Sequence, residues 1–198
     1  MAKSRRVAKV CRKTRETDIE VSLAIDGTGQ GRIRTGIPFM DHMLELFARH
    51  AMIDLTVRAR GDLKVDYHHT VEDMGLVIGE ALNKALGDRR GINRYGWSYV
   101  PMDEALSRVV IDLGGRPYLV YSVAEKSRKI RDFDLRLIRE FFQAFVVQSR
   151  MNLHIDQLYG SEAHHAYESM FKAFARALRN ACTRDPRETG VPSSKGRL

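Results

Sequence analysis

Two stretches of this chain repeat each other in residues that chance and core packing rarely repeat. His68-His69-Thr-Val-Glu72-Asp-Met74 is matched later by His164-His165-Ala-Tyr-Glu168-Ser-Met170, and Ala81-Leu82 and Ala85 by Ala177-Leu178 and Ala181. Seven of 18 aligned positions are identical, including every His and Glu of the motif. Helical packing accounts for Met, Ala and Leu at this spacing but has no use for His-His-x-x-Glu twice. The chain therefore reads as a duplication. Strands are expected at 5–14 and 17–26, a third strand after the glycines at 27–31, a helix from Pro38 to about residue 50, a strand at 52–61 and a helix at 68–86 closed by Gly87. From Arg94 the order repeats, with strands near 95–100, 105–113 and 118–123, a helix at 135–148, a strand at 151–160 and a helix at 163–182. Both halves read β-β-β-α-β-α, an α+β class. The repeats are placed at 1–92 and 93–184, and 185–198, with Pro186, Gly190, Pro192 and Gly196, reads as an extended tail.

Composition narrows the function classes. The 198 residues are 43% hydrophobic and 29% charged, as in globular proteins, and no apolar run approaches the ~20 residues of a membrane span. No secretory h-region opens the chain, and Cys11 and Cys182 form no CxxC pair, so a cytosolic protein with reduced thiols is expected. The net charge of +8 would suggest nucleic acid, but Lys3, Arg5, Arg6, Lys9, Arg12, Lys13 and Arg15 crowd the first 15 residues without one acid. The remainder is close to neutral, so only an arm is basic.

The paired histidines carry the chemistry. On a helix the first His and the Glu four residues on share a face, while the second His points about 100° away. One helix start can thus give a His and a Glu to one metal and its other His to a second. Imidazole with carboxylate suits Mn, Fe, Co, Ni or Zn. His50 ends a helix, where capping and cationic roles are common, and is kept among the substrate-binding candidates.

Further stretches complete a family pattern: Phe39-Met40-Asp41-His42-Met43-Leu44, His68-His69-Thr70-Val71-Glu72-Asp73, Met102-Asp103-Glu104-Ala105-Leu106 and Asp112-Leu-Gly-Gly-Arg116-Pro-Tyr118. The His164-His165-x-x-Glu168 helix continues as Phe171-Lys172-Ala173-x-Ala175-Arg176-Ala177-Leu178, and the chain closes on Pro192-Ser193-Ser194-Lys195-Gly196. With these motifs in order across almost its whole length, the chain resembles the imidazoleglycerol-phosphate dehydratase family of histidine biosynthesis. It departs at Ser169, where Ala is usual, and at Tyr67, where a small or acidic residue is common.

The resemblance implies two four-stranded sheets enclosing the helices, and a lyase that converts imidazole glycerol phosphate to imidazole acetol phosphate and water. It implies eight metal ligands, His42, His68, His69, Glu72, His154, His164, His165 and Glu168, enough for two manganese ions per subunit with three His and one Glu each. His42 and His154 enter only through the resemblance. The helix argument sends His68 with Glu72 and His164 with Glu168 to separate metals. The family assembles twenty-four subunits with sites between them. Ring nitrogens bound to metal would hold the substrate as imidazolate, which expels hydroxide to a diazafulvene. Proton loss then yields an enol, and reprotonation the ketone, so an acid–base group is needed. Glu16 is favoured for it, with Asp103 and Glu104 at the corresponding junction of the second half as alternatives; Glu72 and Glu168 join Glu16 in the catalytic set. His42, His50, Arg94, Arg116, Lys172, Ser193, Ser194 and Lys195 join Glu16 as substrate-binding residues, the cations and tail serines facing the phosphate. Lys172 and Arg176 read equally well as helix-surface charges. A dinuclear phosphoester hydrolase is the alternative activity, and a metal-storage or assembly protein ranks last, having no use for Arg116 and Ser194-Lys195.

Overall fold

The structure, a computed structural model, describes residues 6–124, 127–196 and 198. The first half runs β1 (Val7–Lys13), β2 (Thr17–Ala24), β3 (Gly31–Arg34), α1 (Pro38–Ala51), β4 (Asp54–Gly61) and α2 (His68–Leu86). The second runs β5 (Tyr95–Met102), β6 (Ala105–Asp112), β7 (Tyr118–Ser122), a short hairpin of β8 (Lys129–Ile130) and β9 (Phe133–Asp134), then α3 (Leu137–Ser149), β10 (Asn152–Tyr159) and α4 (Ala163–Cys182). Each half builds one four-stranded sheet in the same order, β1-β2-β4-β3 and β5-β6-β10-β7. In each, the last pair is parallel (β3 with β4, β7 with β10) and the others are antiparallel. The expected architecture of two four-stranded sheets with four helices is present.

Local chemistry explains the elements. In β2, Thr17, Ile19, Val21 and Leu23 are buried and alternate with Asp18, Glu20, Ser22 and Ala24, the period of a strand with one face on the core. Pro38 opens α1, where its missing N–H costs nothing, and Met40, Met43, Leu44 and Phe47 form its buried stripe. Both α1 and α3 stop at a left-handed residue, Met52 (φ 56°) and Arg150 (φ 54°). That is why the strands expected from residues 52 and 151 begin later, at Asp54 and Asn152.

The halves share one core. Helix α2 lies on β1 and β2 and packs closely on α3, whereas α4 lies on β5 and β6 and packs on α1. The α2–α3 approach needs glycine: a Cβ on Gly75 would sit 2.4 Å from the Phe141 carbonyl oxygen, and one on Gly79 2.5 Å from that of Phe145. Phe141, Phe142, Phe145, Phe171 and Phe174 fill the space between the helices, with ring centroids 5.1–6.1 Å apart.

The outer faces of the sheets differ. Across β1 and β2 the cations of the basic stretch meet acids, Lys9 with Glu20 at 2.7 Å and Lys13 with Asp18 at 3.4 Å. Arg12 turns inward to Asp73 on α2, and Arg6 pairs with Asp26. The basic segment is thus largely neutralised by its own sheet; its first five residues lie outside those described. The second sheet instead exposes Tyr95, Trp97, Tyr99, Val110 and Tyr118.

Two expectations are corrected. Among the described residues the hairpin β8–β9 has no counterpart in the first half, and two-residue strands are too short to leave a periodic signal. The tail is folded back rather than extended: the Asp185 amide donates to the Gly91 carbonyl, the Gly91 amide to the Gly190 carbonyl, and residues 193–196 close a turn. Arg94 completes the anchor by donating to the Pro192 carbonyl at 2.8 Å. The backbone of Gly91 and the guanidinium of Arg94 decide the path, and both are distant in sequence.

Candidate functional site

In the second half, α4 starts behind Glu162, whose side chain accepts the His165 amide at 2.8 Å. One helical turn separates His164 from Glu168, so His164 Nε2 lies 3.2 Å from Glu168 Oε2. Helix α1 crosses α4 and brings His42 Nε2 to the same oxygen, also at 3.2 Å. The three groups have ligand atoms within 4.8 Å of one another. The Glu168 side chain is only 10% exposed, and Lys172 reaches its other oxygen at 2.6 Å. Burial pushes this carboxyl up, but Lys172 and then His42 outweigh it and hold it below the ordinary carboxylate range. His165 points elsewhere, with Nδ1 2.8 Å from Glu104 Oε2. Glu104 also accepts the amides of Ser161 and Glu162 at 3.1 and 2.8 Å. The His165 bond, followed by the Glu162 amide, holds Glu104 down at about 2 and raises His165.

The first half places the same motif in a more open setting. His68 Nε2 stands 3.6 Å from Glu72 Oε2, and the Glu72 side chain is 47% exposed. The position that corresponds to His42, ten residues before the left-handed helix cap, is Glu140 on α3. His69 turns to Asp62, its Nδ1 3.0 Å from Oδ2, which raises its pKa; Glu16 Oε2 is further away at 3.9 Å. Asp62 is the residue that sequence reasoning missed. It sits one position past the end of β4 and belongs to no motif, so only the meeting of β4 with α2 reveals it.

The other candidates fall into two groups and one outlier. Arg94, Arg116, Ser193, Ser194 and Lys195 line one cavity of about 620 Å³ where the tail turn meets the second sheet. Within it Arg94 is bound to Asp112 through Nε (2.7 Å) and Nη2 (3.0 Å). His50, at the end of α1, is kept neutral to lower pH by its burial and then by the charges of Lys172 and Arg176 on α4. Lys172 itself is spoken for by Glu168, the i,i+4 partnership the sequence allowed. His154 stands apart on the exposed face of β10, flanked by Val110 of β6 and Val120 of β7.

The donor set fits a borderline divalent cation. With Nδ1 of His69 and His165 turned to a carboxylate, Nε2 is left as the ligand nitrogen, the arrangement by which a supporting carboxylate orients a metal-binding imidazole. Asp62 Oδ1 is buried without a hydrogen-bond partner among the described residues, beside this cluster. The two departures from the family pattern are both partnered: Ser169 Oγ meets Ser107 Oγ at 2.7 Å, and the Tyr67 hydroxyl donates to Asp132 at 2.5 Å.

Known proteins resemble the chain over most of its length. Residues 35–178 match the family model for imidazoleglycerol-phosphate dehydratase. The imidazoleglycerol-phosphate dehydratase of Chromobacterium violaceum is 58% identical over 194 residues, covering 98% of both chains. That of Methylorubrum populi is 55% identical, covering 98% of this chain and all of its own. The crystal structure of the Staphylococcus aureus dehydratase superposes with a TM-score of 0.83 at 40% identity, covering 90% of this chain and 99% of that one. The Pyrococcus furiosus structure gives 0.82 at 35% identity, covering 96% and 100%. The duplicated fold, the two histidine-carboxylate clusters and these matches lead to one conclusion: the chain belongs to the imidazoleglycerol-phosphate dehydratase family of hydro-lyases.

Proposed function

We propose that the chain dehydrates imidazole glycerol phosphate to imidazole acetol phosphate in histidine biosynthesis, with two manganese ions per subunit, in a cytoplasmic homo-oligomer of twenty-four subunits with shared sites. His42, His164 and Glu168 would hold one ion and His68 with Glu72 the other. Each set falls short of three His and one Glu, and His69, His154 and His165 point away from both. The missing ligands are then supplied by other copies of the chain. His154 supports this reading, because an imidazole on an exposed apolar sheet face is placed to meet another molecule.

Ions held by these residues would supply the Lewis acidity that favours an anionic substrate ring. Loss of hydroxide from the carbon beside the ring, by way of a diazafulvene, would then need one base to take the proton on the next carbon and give an enol. That base would hand its proton to the carbon beside the ring as the enol becomes the ketone, and the enol O–H proton would leave with the hydroxide as water. Glu16 is suited to this work. Its carboxylate is half exposed and 3.9 Å from His69, which Asp62 already partners, so no strong hydrogen bond commits it among the described residues. The tail cavity would receive the phosphate through Arg116, Lys195 and the serines, with Arg94 anchoring the tail that forms it. His50 and Lys172 border the His42 cluster and would meet the glycerol chain or phosphate.

The single observation that carries the reading is the duplicated cluster, in which each His-x-x-x-Glu pair stands beside a second His oriented by a carboxylate. The test is incubation of manganese-loaded protein with imidazole glycerol phosphate. An enolisable ketone without phosphate release is expected; release of inorganic phosphate would point instead to the hydrolase reading.

A further inference from the structure

A series of aromatic contacts runs from His164 of one ligand set to Tyr67, the chain neighbour of His68 in the other. The Phe39 ring meets the His164 imidazole edge-on, with centroids 5.9 Å apart and planes at 80°. Its other side packs on Phe133, 5.1 Å away, which is 1% exposed. Phe133 in turn stacks on Tyr67 at 6.3 Å and 21°. Tyr67 is the residue before His68 and occupies the N-cap of α2 without capping it: its hydroxyl donates instead to Asp132, at the tip of the β8–β9 hairpin. Asp66 accepts the His68 amide, so the helix start is served without Tyr67. Among the described residues the hairpin is an element of the second half alone, and it contributes both Phe133 and Asp132.

We propose that Phe39, Phe133 and Tyr67 act as a strut whose task is to fix the His164 imidazole at one end and the His68 end of α2 at the other. The inference rests on the metal reading above and goes beyond it, because the two phenylalanines have no ligand atom and the Tyr67 hydroxyl is engaged with Asp132. An imidazole on a helix start can swing about its side-chain torsions, and a ligand nitrogen held loosely binds less well than one locked by packing. Phe39 supplies the lock at His164, since the ring edge favours one orientation of its neighbour. At the other end the Tyr67 hydroxyl pins the chain immediately before His68. Phe133 transmits one to the other because it is buried and touches both. A leucine at position 133 would fill the core adequately but would meet neither ring edge-on nor stacked.

The experiment is a manganese titration of the full chain, followed by the electron paramagnetic signal of the free ion, with thermal unfolding recorded in parallel. In the unmodified protein two ions per subunit are expected. Phe39→Leu is expected to weaken one of the two sites by about 3- to 10-fold, the worth of an aromatic edge contact, and Phe39→Tyr to restore it. The weakening should persist in a Glu72→Gln background and vanish in Glu168→Gln, because Phe39 serves the His42–His164–Glu168 set. Tyr67→Phe keeps the ring and removes only the bond to Asp132, so it tests the other end with little risk to folding; the site that Glu72→Gln impairs should weaken. If Phe39→Leu and Tyr67→Phe bind both ions as the unmodified protein does, the strut is overturned while the metal reading stands. Equal loss at both sites together with a lowered unfolding midpoint also overturns it, since that is ordinary core damage. An unmodified protein that binds no manganese overturns the metal reading and the strut with it.

Discussion

Glu16 and Glu104 occupy the same place in the two halves, one residue before β2 and one before β6, yet the fold uses them differently. Glu104 accepts His165 and two amides at the start of α4, and its carboxyl is held down at about 2. In the first half Asp62 takes the histidine instead, and Glu16 is left 3.9 Å away with its side chain 55% exposed. A carboxylate held so low gives up much of its basicity at neutral pH, whereas an uncommitted one can both take and return a proton. Of two glutamates at equivalent places, one is tied to a histidine and two amides, and the other is left without that histidine because Asp62 takes it.

The largest effect should come from the freed glutamate. Glu16→Gln is expected to lower kcat by about 100-fold or more with substrate affinity and metal content retained, as steady-state kinetics and elemental analysis would register. Glu104→Gln should mainly reduce metal content. The comparison breaks if Glu104→Gln abolishes turnover with both ions bound and Glu16→Gln does not. Next come the cations of the tail cavity. Arg116→Ala and Lys195→Ala should each cost about 10- to 200-fold in substrate affinity, measured calorimetrically, while metal content holds. Deleting residues 193–198 should weaken binding without unfolding the protein, and unchanged affinity would remove the tail from the site.

The two motif glutamates give a smaller contrast. Each Gln variant should impair one metal site, but Glu168→Gln also strands Lys172, whose side chain is 18% exposed, so it alone should lose about 1–3 kcal/mol of unfolding free energy. Glu72, half exposed, should cost almost nothing by the same denaturation measurement. The smallest effect is the pH response of the metal-free protein. Glu104 is depressed below its ordinary 4.5, so its contribution is present above that value and fades as pH falls towards 2. His165 is raised above 6.5, so its contribution is complete below that value and is lost as pH rises through its folded value. The pair should therefore help most between about 4.5 and 6.5, and Glu104→Gln should flatten the unfolding midpoint across that window.

Much of the fold was legible because it is written in local periods. The buried alternation of β2, the stripe of α1 and the repeated helices α2 and α4 need only neighbours a few residues away. The candidate ligand pairs His68–Glu72 and His164–Glu168 were legible for the same reason, since helical pitch alone brings them together. What escaped depends on chain segments far apart. The hairpin at 129–134 is too short for a period, and the tail takes its course from the Gly91 backbone and the Arg94 guanidinium. Asp62 carries no motif at all.

The amino-acid sequence by itself determined the duplication, the α+β order of each half, six of the eight candidate ligands and the pairing of each Glu with the His before it. These follow from residue type and spacing within one element. Tertiary structure decided that His42 on α1 joins Glu168 on α4, that Asp62 rather than Glu16 holds His69, and that Arg94, Arg116 and the tail share one cavity. It also decided which of two equivalent glutamates stays free. The reason is physical: these contacts join residues 7 to 126 positions apart, and each is made only when helices and strands that bury separate apolar faces come together over one core.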